Sequence, residues 1–218
     1  MTGGPRENTM RHFWFVDTAS LLSMAVDPEI AAEVMAEIGS DPVVVIDVVR
    51  EELTYRATRP GTGALAQTAL QSIPVDWHNV DSGRYVGPSE VEAIQYLVAD
   101  GRPLSHDDQH LAESTIIAMG RQSAQSPVGY ASIKVLLPED YDARRVASTI
   151  PQMTALSIHG LLFDRVQGNR MAAARARDLA LKLTKAGRGP DVTEEDFSDT
   201  SGRGLGRVAD PQRRPRGA

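Results

Sequence analysis

Two short runs of large apolar residues, Phe13–Val16 and the Val-Val-Val-Ile of Val43–Ile46, each pass directly into a segment with helical spacing. Such runs are too short for buried helices, and without polar alternation they suit strands covered on both faces. Covered strands separated by helices need crossover connections, which leave the strands parallel. The stretch "YASIKVLL" at 130–137 has the same character. The expected fold class is α/β with a mostly parallel central sheet.

Between these runs the apolar positions follow a helical period. Leu21, Leu22, Met24, Ala25, Ile30, Val34 and Ile38 share such spacing, and Asp27-Pro28 divides them into two helices. "DVVREELTYRA", the region 64–72 and "GPSEVEAIQYLVADG" read as helices, the last opened by a capping box of Ser89 and Glu92 and stopped at Gly101. Another is expected from Ser105, as cap, to about residue 123. "PEDYDARRVASTI", "LSIHGLLFDRVQG" and "NRMAAARARDLALKLTKAG" read as three more, and "IPVDWHNV" as an edge strand. Residues 1–11 are expected to form a flexible leader, 12–186 the domain, and 187–218 a disordered tail. The end of that tail, "SGRGLGRVADPQRRPRGA", carries five arginines against one aspartate and has little to bury. It serves as a solubilising tail or as a weak attachment to RNA or DNA.

With 218 residues, 41% of them hydrophobic, the chain can bury a core of its own. It contains no cysteine, which excludes disulfides, thiolate zinc sites and a thiol nucleophile, so any metal must be held by oxygen or imidazole. A net charge of −6 argues against coating nucleic acid by charge alone. No stretch approaches the roughly 20 apolar residues of a membrane span, and the N-terminus lacks a secretory core, so no membrane partner and a cytoplasmic location are expected.

The chemistry lies in where the acids fall. Asp17 ends the first apolar run, and Glu139 and Asp140 follow the run at 133–137 just past Pro138. In open α/β sheets ligands bind outside the carboxyl ends of strands, so both sets belong to one rim. Glu52 follows Val48 and Val49 by four and three residues, and Glu113 precedes Ile116 and Ile117 by three and four, which places each carboxylate at the border of an apolar helix face. Any one of these acids alone reads equally as a helix cap, a solvated side chain or half of an ion pair. Together they would repel unless one took a proton or a cation joined them. Magnesium or manganese prefers such oxygen ligands.

In this order the acids resemble those of the PIN-domain ribonuclease family, particularly an uncharacterised prokaryotic subgroup related to toxin–antitoxin ribonucleases. The resemblance rests on "FVDTASLL", "VVREEL", "LAESTIIAMG", "VLLPEDYDARRVA" and "SIHGLL", and covers about residues 12–168. It implies a three-layer α/β/α domain and a Mg²⁺- or Mn²⁺-dependent endoribonuclease. In that family role Asp17, Glu52, Glu113 and one of Glu139 and Asp140 are both metal ligands and catalytic residues. Ser157 would orient a water or metal ligand. Arg144 would contact the RNA backbone, although it or Arg145 pairs equally well with Asp140 or Asp142. The resemblance further implies an RNA substrate, a homodimer and, for a toxin, an antitoxin protein partner. The chain departs from the family pattern at Glu139, where Asp is usual, at Ser157-Ile158-His159 in place of a Gly-Thr-rich turn, and in an enlarged region 61–105. Glu139 and the altered turn favour an alternative, a catalytically weak PIN-fold protein that binds nucleic acid or regulates, and the enlarged region argues against a standard toxin role.

Other signals are weaker. His106 and His110, four apart on an expected helix, could share a metal, but too few further histidines exist for a phosphohydrolase set. "GRGLGR" lacks the flanking strand and helix of a dinucleotide fingerprint, and no Gly-x-Ser-x-Gly elbow supports Ser20, Ser23 or Ser157 as a nucleophile. Trp14, Trp77 and Tyr85 read as core or rim residues rather than base-stacking platforms.

Overall fold

The computed structural model of the chain describes residues 12–106, 109–124, 133–136 and 141–198. Its strands are β1 (Phe13–Val16), β2 (Val43–Ile46), β3 (His78–Val80), β4 (Ile133–Leu136) and β5 (Met153–Leu156), joined in the order β3-β2-β1-β4-β5 with every pairing parallel. The helices are α1 (Thr18–Val26), α2 (Pro28–Ile38), α3 (Asp47–Ala57), α4 (Gly63–Ser72), α5 (Pro88–Val98), α6 (Leu111–Ala124), α7 (Tyr141–Ser148), α8 (Ile158–Gln167), α9 (Ala173–Lys185) and α10 (Glu194–Ser198). The expected α/β class with a parallel central sheet is what the chain adopts.

Strand order decides where the helices lie. The chain moves from β1 to β2 to β3 in one direction, then returns past β1 to β4 and β5 in the other. Right-handed crossovers put α1–α4 on one face of the sheet and α5–α7 on the opposite face. Packing agrees: α1 contacts α2, α3 and α4, and α3 contacts α4; α5, α6 and α7 form a second group, and α8 and α9 join the first through α2 and α1. The central strands are covered on both sides, and Trp14, Val16, Val45, Ile46, Val135 and Leu136 are fully buried. None of the helices among the described residues is long and apolar enough to cross a membrane.

Several boundaries differ from the sequence expectation, each for a local reason. The capping box of Ser89 and Glu92 does not form. Pro88, with its fixed φ and missing N–H, takes the first helical position, so Gly87 is the cap. Ser105 does not cap α6; its amide and hydroxyl both donate to Gln109 Oε1, at 2.7 and 2.8 Å. His110, at φ +60°, lies outside right-handed helical geometry and delays the helix to Leu111, so His106 and His110 do not share a helix face. The edge strand shrinks to His78–Val80 because a turn, with Trp77 N–H donating to the Pro74 carbonyl at 3.2 Å, occupies its first half. Strand β5 was absent from the sequence reading: Met-Thr-Ala-Leu carries little strand propensity, and it is strand through its register with β4, from Met153 opposite Ile133 to Leu156 opposite Leu136. Finally, packed structure continues past residue 186, since Val192 is buried and Phe197 of α10 is fully so.

Candidate functional site

The carboxyl rim of the sheet has its topological switch point between β1 and β4, the place where open α/β sheets leave a crevice for ligands. Val16, Leu136 and Leu156 end three neighbouring strands in register. The residue after Val16 is Asp17 and the residue after Leu156 is Ser157, and each caps the helix that follows. Asp17 Oδ1 accepts the Ser20 amide at 2.7 Å, and Ser157 Oγ accepts the Gly160 amide at 2.9 Å. Asp17 is only 3% exposed. A carboxylate so placed is stabilised by the amide it accepts and by the positive end of the α1 dipole. Ser20 fastens this turn to the sheet, its hydroxyl donating to the Leu136 carbonyl at 2.8 Å.

Glu52 reaches the same rim from α3. The Thr18 hydroxyl donates to its Oε2 at 2.6 Å, so Glu52 adjoins the residue next to Asp17. Its other oxygen, Oε1, accepts Nε and Nη2 of Arg56 at 2.9 and 2.6 Å. Glu113 lies in the first turn of α6, half-buried, on a helix that packs against α3. Glu139 and Asp140 lie outside the described residues. The donors are hard carboxylate oxygens, which suit Mg²⁺ or Mn²⁺. Yet among the described residues no three His, Asp or Glu side chains form a group that could hold a metal ion. Asp17, Glu52 and Glu113 do not close a centre as they stand, and Glu52 is engaged by Thr18 and Arg56.

On the other side of β1, Asp47 follows the end of β2. Burial pushes its carboxyl up, but the Ser82 hydroxyl and amides including that of Ser82, whose N–H donates at 3.1 Å, hold it below the ordinary carboxylate range. Sequence reasoning overlooked Asp47, although "VVVID" repeats the strand-then-aspartate pattern that drew attention to Asp17. It also missed Thr18, although "FVDTASLL" places it directly after Asp17.

On the β5 side His159 is buried, its Nε2 without a hydrogen-bond partner. Burial, reinforced by the charge of Arg144, lowers its pKa to about 4, so the ring is neutral near pH 7. Arg144, whose charge acts on this ring, is itself half-buried. Arg145 instead pairs with Asp100 at 3.4 Å and Asp142 at 3.6 Å. Trp14 and Trp77 are buried, whereas Tyr85 stands exposed.

No family model matches the chain, and no curated protein matches it. Among solved structures it is similar to one described as VapBC2 from Rickettsia felis bound to a DNA fragment from their promoter. The identity is 11% and the TM-score 0.42, over 66% of this chain and 98% of that one. A likeness so slight carries no weight for fold or function.

Proposed function

We propose that the chain is a PIN-like nuclease that hydrolyses RNA phosphodiester bonds at the rim around Asp17. The observation that carries this reading is a nearly fully buried carboxylate at the topological switch point, with Glu52 joined to the adjacent residue through Thr18. Burying Asp17 there costs free energy that a surface cap would not incur, which is reasonable if the carboxylate serves a ligand. In this reading Asp17, Glu52, Glu113 and one of Glu139 and Asp140 hold Mg²⁺ or Mn²⁺. Such an ion supplies an activated water and neutralises charge on the scissile phosphate. Asp17 Oδ1 is held by the Ser20 amide, Ser157 caps α8 at the end of β5, and Arg144 offers a positive charge to the RNA backbone. An antitoxin protein and a second copy of the chain belong to the same proposal as partners, as does a toxin role.

A second reading has its own support. Both Glu52 oxygens are engaged, and no three described acids make a metal group, which suits a PIN-fold module that binds nucleic acid without cutting it. Asp17→Asn separates the two, because Asn preserves the helix cap while removing the charge. The nuclease reading expects Mn²⁺ to raise the melting temperature of wild type but not of Asp17→Asn, and expects EDTA-sensitive cleavage of a generic RNA. An equal Mn²⁺ shift in both proteins would discard the site; Mn²⁺ binding lost in Asp17→Asn without any cleavage would favour the binding module.

A further inference from the structure

Beyond β2 the rim opens into a groove made of two adjoining clefts. The first, of about 850 Å³, lies between the start of α3, the loop 82–87, α5 and the start of α6. Val48, Val86, Val91 and Leu111 give it apolar walls, and Arg84 and Tyr85 line it as well. Val48 precedes Glu52 by one helical turn, and the lining residue Ser82 is the one whose amide donates to Asp47 past the end of β2, so this cleft begins beside the candidate site. The second cleft, of about 360 Å³, shares Glu92, Gln95 and Leu104 with the first and is further lined by Tyr96 and Arg102. Each cleft thus carries one tyrosine and one arginine. Tyr85 and Tyr96 are 57% and 63% exposed, aromatic rings left in water beside apolar walls. Arg84 and Arg102 each have a carboxylate partner, Asp81 at 2.9 Å and Asp142 at 3.3 Å, in exposed pairs that another anion can displace.

An apolar cleft alone would suit many guests. An exposed ring with a guanidinium, repeated once along a groove, suits a guest in which planar rings are joined by anions: bases stack on the tyrosines, and phosphates pair with the arginines. Glu92, on the shared wall, repels phosphates from the interior of the groove and can accept a hydrogen bond from the amino group of a base. A duplex keeps its base faces stacked inside, so the guest is a single strand. We propose that the groove binds single-stranded RNA, with one base against Tyr85 and another against Tyr96, and leads the strand to the rim. The proposal rests on the nuclease reading for the choice of RNA and the place of the cut; the binding itself needs no cation.

The experiment titrates a short fluorescein-labelled RNA of mixed sequence with the full chain in EDTA, where metal-dependent cleavage is off, and reads binding by anisotropy. The unlabelled strand, the same strand in a duplex, and AMP serve as competitors. Tyr85→Ala and Tyr96→Ala should each weaken strand binding about tenfold, within the range for one stacked base, with the melting temperature unchanged because both side chains are exposed. Tyr85→Phe, which keeps the ring, should bind as wild type does. Arg84→Ala should flatten the slope of log affinity against log salt by about 0.7, the share of one phosphate contact on a single strand. Tyr55→Ala is the control: Tyr55 is similarly exposed and has Arg59 at 4.3 Å over its ring, but lines neither cleft, and its loss should change nothing. The proposal is overturned if wild type does not bind the strand in EDTA, if the groove tyrosines can be removed without loss, if Tyr55→Ala loses as much as they do, or if duplex or AMP competes as well as the strand. Cleavage is read separately in Mn²⁺. Binding that depends on Tyr85 and Tyr96 without any cleavage would end the nuclease reading and leave the groove standing.

Discussion

Glu52 is held by two unlike partners, and they differ in what they cost to give up. The pair with Arg56 is an i,i+4 ion pair whose side chains are 42% and 33% exposed, so water screens it. Such a pair contributes about 0.3–0.5 kcal/mol, and a cation binding at Glu52 can displace it readily. Arg56→Gln is expected to tighten Mn²⁺ binding by about two- to fivefold, part of it from the released pair and part from the lost positive charge. In a Glu52→Gln background the same substitution should have a much smaller effect, and equal effects in both backgrounds would mean that Arg56 acts only through its field. His159 supports a second prediction at this scale. Its folded pKa of about 4 lies below the ordinary value of 6.5, so between those pH values the unfolded chain takes up a proton that the native ring refuses. Stability must then fall as the pH drops from 6.5 towards 4, by about 2 kcal/mol at pH 5. Asp27, Glu29 and Asp47, whose folded pKa values are lowered, lose their contributions only below about pH 4.5. Urea unfolding at pH 7 and pH 5 should show the loss in wild type and not in His159→Gln.

At the scale of elements, α8 is docked on α2 by charge as well as by apolar contact. Arg165, with a side chain only 11% exposed, reaches Glu33 at 2.9 Å and Glu37 at 3.4 Å, and Arg170 adds a second cation on Glu37. Removing Arg165 strips Glu33 of its cation and leaves Glu37 to Arg170 alone, a larger cost than losing a surface bridge. Arg165→Ala should destabilise the protein by roughly 3 kcal/mol, seen as a lower urea midpoint at unchanged slope. A loss no greater than that from truncating an exposed bridge such as Arg84–Asp81 would show that apolar packing alone seats the helix. This docking matters for the rim because α8 carries Ser157 at its start and His159 in its first turn.

For the whole molecule, the C-terminal extension is part of the body. Phe197 has no exposed surface, and the Gln167 amide donates to its carbonyl at 2.9 Å, so α10 closes over α8 and α9. Phe197→Ala should cost about 3–5 kcal/mol, measured by chemical denaturation, whereas a helix lying loosely on the surface would tolerate the change. The element series from β1 to α4 was legible in the chain itself: apolar run, helical period and Asp-Pro break are local patterns, and local sterics and burial suffice to read them. The acids at strand ends and helix borders were legible in the same way. What the chain did not disclose depends on partners far away in sequence. Met153–Leu156 is a strand only because β4 lies beside it, Phe197 is core only because α8 and α9 leave it a place, and Glu52 meets Thr18 across 34 positions. Pattern and period determine which elements exist; which side chains end up touching is decided by the close packing of those elements, and no local signal encodes it.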